Sequence, residues 1–387
     1  MEKLRVTKLT LSLTVTVIYL AIFTAASWAS SEEAAPQNIT RWHPRRLPAG
    51  VELVGDQVCA ECHKNKVTSH AQSGMAMAMD PVGDLRVLAQ KPEMRFRIGP
   101  YAYEIKRQDG QSLYTVTDGT ETISVPIRYA LGQGKAGQTY VIEYQGALYE
   151  SLVSYYTEVG GLDFTIGAAR TAPASLVKAL GRRLPDSEAA SCFSCHATGA
   201  VSGGRLQLEK ATPGIRCEAC HGPGGQHVAA TRKGEPGAKL IFNPRRLGGD
   251  ELSQDFCGAC HRGMEEFNML KSLEINNVRF QPYRIFHSKC YSDDRRISCT
   301  GCHDPHEPLR RDVAFYDAKC TACHAVKAKP DPAAAKTAAA GTPASCPIST
   351  KDCVSCHMPK LGPPAAHFKF TDHYIRIVKS GDNTYPN

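Results

Sequence analysis

Every C-x-x-C pair in this 387-residue chain is followed directly by a histidine, and there are seven such runs. They are Cys59-Cys62-His63, Cys192-Cys195-His196, Cys217-Cys220-His221, Cys257-Cys260-His261, Cys299-Cys302-His303, Cys320-Cys323-His324 and Cys353-Cys356-His357. Histidine fills only 14 positions in the chain, so chance does not place one after every pair. C-x-x-C-H is the attachment signature of c-type haem: the thiols bond the porphyrin vinyl groups and the histidine becomes the proximal iron ligand. Structural zinc also uses paired cysteines but does not need a histidine after each pair. A disulfide framework would not repeat one spacing seven times, and a thioredoxin-like redox pair would occur once, inside a βαβ unit. The sequence therefore predicts seven covalently bound c-type haems, with the seven motif histidines as proximal ligands.

Motif density constrains the fold. Six motifs fall within residues 186–387, roughly 34 residues each, too few to build a separate apolar core around every one. The porphyrins would themselves be the core, wrapped by short helices and ligand-bearing loops. The expected class is mainly α with little regular secondary structure, haem-cored, carrying a small antiparallel β-subdomain after the first motif.

In chain order, residues 1–30 read as a secretory signal peptide. Lys3, Arg5 and Lys8 precede an apolar run, and Ser27-Trp28-Ala29 is a small-x-small cleavage pattern. An uncleaved anchor is the alternative, although a run of about 18 residues is short for a bilayer. The protein is thus expected to be exported, periplasmic or extracellular. Residues 31–50, with Pro36, Pro44 and Pro48, read as a linker. Residues 51–90 form the first haem segment. Residues 91–170 have strand composition, with turn signals at Asp109-Gly110, Asp118-Gly119 and Gln145-Gly146, and read as an antiparallel β-subdomain. Residues 171–387 read as a hexahaem array, interrupted at 325–350 by an Ala/Pro/Lys-rich low-complexity loop.

Seven histidines lie outside the motifs: His43, His70, His227, His287, His306, His367 and His373. All are candidate distal iron ligands, His43 standing in a Pro/Arg-rich linker where a solvated role competes. Met75 competes with His70, because a thioether also ligates haem iron. A haem left without a second ligand would be five-coordinate and open to a substrate. Cys290 and Cys346 lie outside the motifs, and the sequence does not decide whether they pair.

The formal charge of +8 is no nucleic-acid signal, because no basic stripe interleaves with aromatics. Removing the leader leaves about +6, and seven haems would add about −14 from propionates against about +7 from ferric irons.

The chain resembles the multihaem cytochrome c superfamily that includes nitrifier tetrahaem cytochromes, hydroxylamine oxidoreductase and ammonia-forming nitrite reductase. The resemblance is carried by VGDQVCAECH with SGMAMAM, by YALGQGKAGQTYVIEYQGALYESLVSYY, by GIRCEACHGPGGQHV, by CTGCHDPHEP, and by CVSCHMPK with HFKFTDHYIRI. It implies that His227 and His306 ligate irons, with His373 a similar candidate, and puts Met75 where relatives often carry histidine.

The function expected is electron transfer along closely packed, mostly bis-His haems. The partners would be a quinol-oxidising complex, other cytochromes or a terminal reductase, and self-association into an extracellular haem filament is a variant. The alternative is a reductase of a small nitrogen or sulfur oxyanion at one five-coordinate haem; no motif has the C-x-x-C-K form, and no catalytic residue is identified.

Overall fold

Residues 93–164 alternate apolar and polar side chains with period two, the pattern of strands with one buried face. In the computed structural model they form the larger part of a nine-stranded antiparallel sheet. The structure describes residues 41–80, 83, 86–270, 275–291, 297–324, 348–349 and 351–379. The expected signal peptide, half of the expected linker, almost all of the 325–350 loop and Cys346 lie outside them. From Trp42 onward the chain forms one compact unit.

The strands are β1 (Met79–Asp80), β2 (Glu93–Ile98), β3 (Tyr101–Gln108), β4 (Gln111–Thr117), β5 (Thr122–Leu131), β6 (Gln138–Tyr144), β7 (Ala147–Tyr156), β8 (Gly161–Phe164) and β9 (Gly181–Leu184). β2 to β8 pair in sequence order, while β1 adds to β5 and β9 to β7. Asp109-Gly110 and Gln145-Gly146 close two of the hairpins with positive φ at both turn residues, which matches the right-handed twist of the strands they join. The sheet curls until β2 and β8 face each other, with the Phe96 and Phe164 rings edge to face at 5.3 Å.

The inner face is rich in tyrosine. Tyr101, Tyr103, Ile105, Tyr114, Val116, Tyr140, Ile142 and Val153 are buried together, capped by Leu176, Ala179 and Leu180 of the helix Leu176–Leu180. Full burial of one such ring contributes roughly 2–3 kcal/mol. Gly181 follows that helix at φ 137°, where a side chain would be strained. A Cβ there would run into the Glu150 carbonyl, so β9 reaches β7 only because the residue is glycine.

This sheet overturns the expectation of a mainly α fold with only a small β-subdomain. Motif density limits the side-chain core only within residues 186–387, where porphyrin must substitute for it. Residues 93–184 carry no motif and build a core of their own.

Beyond β9 the regular elements are short, and every motif lies on helical turns. They fall in Asp56–His70, Asp186–His196, Cys217–His221, Glu251–Cys257 with Gly258–His261, Cys299–Cys302, Val313–His324 and Cys353–His357. Residues 42–50 dock on the segment after the second motif and on the third motif: Leu47 bridges Ser202, and Trp42 Nε1 donates to the Ala219 carbonyl at 2.8 Å. Gly214, at φ 79°, lies so close to the Ala76 carbonyl that no Cβ would fit, and this brings the first haem segment against the second. Among the described residues no helix is long and apolar enough to cross a membrane.

Candidate haem-ligating sites

Residues three and four apart share one face of a helix. The two cysteines of each motif and the histidine after them therefore project together, as one porphyrin edge and one axial bond require. In five motifs the helix ends on the histidine itself. In the fifth motif His303 is the capping residue, and in the first His63 leaves helical geometry inside a longer helix. The histidine is thus freed from the helix cylinder at each site.

Three proximal histidines face a second histidine from far along the chain. His63 and His227 have ring centres 6.4 Å apart, His221 and His306 5.9 Å, and His303 and His373 6.2 Å. Two imidazoles on one metal ion, with metal–nitrogen bonds of about 2 Å each, have ring centres about 6.3 Å apart. The three separations fit an iron held between two such rings on its opposite sides.

The second nitrogen of these rings is engaged elsewhere. Nδ1 of His196, His221, His227, His357 and His373 lies 2.9–3.0 Å from the carbonyls of Ala78, Phe242, Gly237, Arg376 and Thr371 respectively. Nδ1 of His306 sits 3.1 Å from Asp304 Oδ1. Donation from Nδ1 fixes the tautomer and leaves the Nε2 lone pair for a metal. Burial holds His196, His221, His261 and His303 below the ordinary imidazole range. Burial, with the neighbouring His303, lowers His373 to about 4. These rings are neutral at pH 7, the form that binds iron.

The other candidate ligands stand apart from these pairs. His287 has a buried, unpartnered Nε2 among the rings of Tyr283, Phe286 and Tyr374. His43 has a buried, unpartnered Nδ1 beside a cavity of about 340 Å³ lined also by Arg45, Arg46, Ser191 and Ser194. His70 is buried next to Ser73, and Met75 is half-buried, its carbonyl accepting from Ile215 N at 2.9 Å. His367 places Nε2 2.6 Å from Asp163 Oδ2, a carboxylate that also binds Arg170, with Tyr156 against its ring. Among the described residues no three His, Cys, Asp or Glu side chains converge as a bare-metal site; a porphyrin iron asks the protein for only one or two ligands.

Thiols from different motifs adjoin. Cys59 neighbours Cys217, Cys195 neighbours Cys260, Cys257 neighbours Cys299, and Cys320 neighbours Cys353. Attachment points far apart in sequence therefore share common walls. Supporting residues invisible to motif reading hold these walls. Glu218, 3% exposed, accepts from the backbone N–H of Val54, Gly55 and Gly224, pinning the first haem segment to the third motif. Arg45 donates to Ser194 Oγ and the Ala259 carbonyl, joining the second and fourth. Glu218 stands between two cysteines of a motif, the single hint the sequence offered.

A family profile described as cytochrome c554 and c-prime matches residues 170–222, which hold the second and third motifs. The multiheme cytochrome MtrA of Shewanella baltica (strain OS185) is 24% identical over 175 residues, covering 43% of this chain. The match spans 37% of that relative, little more than a third of its length. The outer cell wall cytochrome OcwA, known from a crystal structure, superposes with a TM-score of 0.46 at 15% identity, over 84% of this chain and 79% of that one. In its seven C-x-x-C-H runs, in the profile that matches its second and third motifs and in its match to MtrA, the chain is similar to multihaem c-type cytochromes.

Proposed function

We propose that this chain is an exported heptahaem cytochrome that carries electrons between redox partners. The observation that supports it most directly is the set of three histidine pairs at iron-spanning separation. Bound haem iron supplies a centre that cycles between ferric and ferrous. The residues of this chain do the rest. The cysteines of the seven motifs hold the porphyrin edges, and His63, His196, His221, His261, His303, His324 and His357 supply proximal ligands. His227, His306 and His373 close the far side of three sites, so that no substrate reaches the metal there. Backbone carbonyls fix the tautomers of His196, His221, His227, His357 and His373, and burial keeps His196, His221, His261, His303 and His373 neutral. The adjoining thiols of different motifs bring attachment points side by side, which favours short electron jumps over reaction with solvent solutes.

The same reading keeps a cleaved leader at 1–30, a first haem segment at 51–90, a strand-built region at 91–170 and a hexahaem array at 171–387. Its partners are a quinol-oxidising complex, other cytochromes or a terminal reductase, and its kin are exported proteins with a tetrahaem-cytochrome-like domain. Intact mass of the secreted protein, with a peroxidase stain after denaturation, tests attachment: seven added porphyrins are expected, and an unmodified mass ends the proposal. Low-temperature EPR of the oxidised protein tests the carrier role. A high-spin ferric signal that shifts with nitrite or hydroxylamine would replace it with the reductase reading.

A further inference from the structure

Residues 372–376 join three segments that carry candidate haem ligands, His303, His357 and His287. The ring of His373 faces His303. The carbonyl of Arg376 lies 2.9 Å from His357 Nδ1, and its N–H donates to the His357 carbonyl at 3.2 Å. Ser288, next to His287, donates to the His373 carbonyl and accepts from Ile375 N. At the centre is Asp372, whose side chain is 0% exposed. Its carboxylate accepts from Arg284 Nε at 2.8 Å and Nη2 at 2.6 Å, and from Arg376 Nη1 at 2.7 Å.

Asp372 is therefore divided between two guanidinium groups, and Arg376 has the smaller share. The Arg376 side chain is only 10% exposed. Its Nη1 donates to Asp372 and to the Tyr374 carbonyl at 2.8 Å. Its Nε and Nη2 are buried and have no hydrogen-bond partner. A buried guanidinium with two N–H groups unmet is costly unless an acceptor completes it. Nε–H and Nη2–H form the planar fork that accepts a carboxylate with two parallel bonds. A porphyrin brings two propionate carboxylates to its site, and the residue that carries this fork lies three positions after His373 and makes backbone hydrogen bonds to His357.

We propose that Arg376 binds a porphyrin propionate of one of the two haems that meet this strap. The proposal rests on haem being bound at the fifth and seventh motifs. Arg376 compensates the propionate charge in the protein interior, and in doing so raises the reduction potential of that haem, because a cation beside the porphyrin disfavours the ferric form.

The test uses the secreted holoprotein with Arg376→Gln and Arg376→Lys. Haem content by intact mass comes first, since an unmodified parent would end the functional reading itself rather than this one. With full haem content, Arg376→Gln is expected to move one step of the potentiometric titration to lower potential and to shift a propionate bending band in resonance Raman. Arg376→Lys should keep that potential closer to the parent while the Raman band still moves. Unchanged titration and Raman spectra in Arg376→Gln would overturn the proposal. So would an effect of added acetate or nitrite on the parent that vanishes in the variant, because the fork would then serve a soluble anion. Should Arg376→Gln lose haem, Arg376→Lys decides: full haem with a shifted band supports the proposal, and equal loss reduces Arg376 to a structural role.

Discussion

At the scale of single residues, two histidines that look alike in sequence have opposite environments. His306 has Nδ1 against Asp304 and its ring 5.9 Å from that of His221. His367 spends its Nε2 on Asp163 at 2.6 Å. Burial pushes the Asp163 carboxyl up, yet hydrogen bonds from His367, the Phe164 backbone and Arg170 hold it below its ordinary value. His306→Ala is therefore expected to convert one low-spin ferric haem to high-spin, read as a new axial EPR signal of one haem's intensity. His367→Ala should leave the low-spin count unchanged and lower only the thermal midpoint. The reverse result would exchange their roles. The sequence marks both histidines as candidates but cannot sort them. The partners of His227, His306 and His373 lie 164, 85 and 70 residues away, and nothing local in the chain encodes which motif histidine each one faces.

At the scale of elements, the sheet shows which sequence signals carry and which do not. Alternation at Tyr101, Tyr103 and Ile105, and the Asp109-Gly110 and Gln145-Gly146 turns, were visible because they are local. The extent of the sheet was not. β1 is two residues long and β9 four, too short for a periodic pattern, and each is defined by its partner strand rather than by itself. Replacing Gly181 by Ala puts a Cβ into the Glu150 carbonyl at a φ that L-residues avoid, and should destabilise the sheet by at least about 2 kcal/mol. A lower thermal midpoint with unchanged haem content is the expected outcome; an unaltered midpoint would show that β9 moves freely on β7. Tyr140→Phe tests the opposite sign. The Tyr140 hydroxyl is buried without a hydrogen-bond partner, and burial drives its pKa up. Removing it should leave stability unchanged or raise it by about 1 kcal/mol, whereas a clear loss would reveal a bonded hydroxyl.

At the scale of the whole molecule, the proposed reading of seven haems and a cleaved leader gives the reduced protein a charge opposite in sign to that of the polypeptide. The chain alone carries +8, about +6 without its leader. On the proposed reading, seven haems would contribute about −14 through their propionates and ferric irons would return about +7, leaving the oxidised protein near neutral and the reduced protein at about −8. Each electron that enters adds one negative charge, and at low ionic strength this is felt over about a Debye length. Cationic side chains such as Arg376, with two N–H groups unmet inside the protein, then work against this accumulation by stabilising reduced sites. The consequence is measurable without knowing any partner. On an anion exchanger at pH 7 and low salt, dithionite-reduced protein should elute at clearly higher salt than ferricyanide-oxidised protein, and the difference should shrink as fewer haems are reduced. Identical elution would mean that protons enter with the electrons and neutralise them, which would make this a proton-coupled carrier and move attention from the arginines to the titratable groups beside the haems.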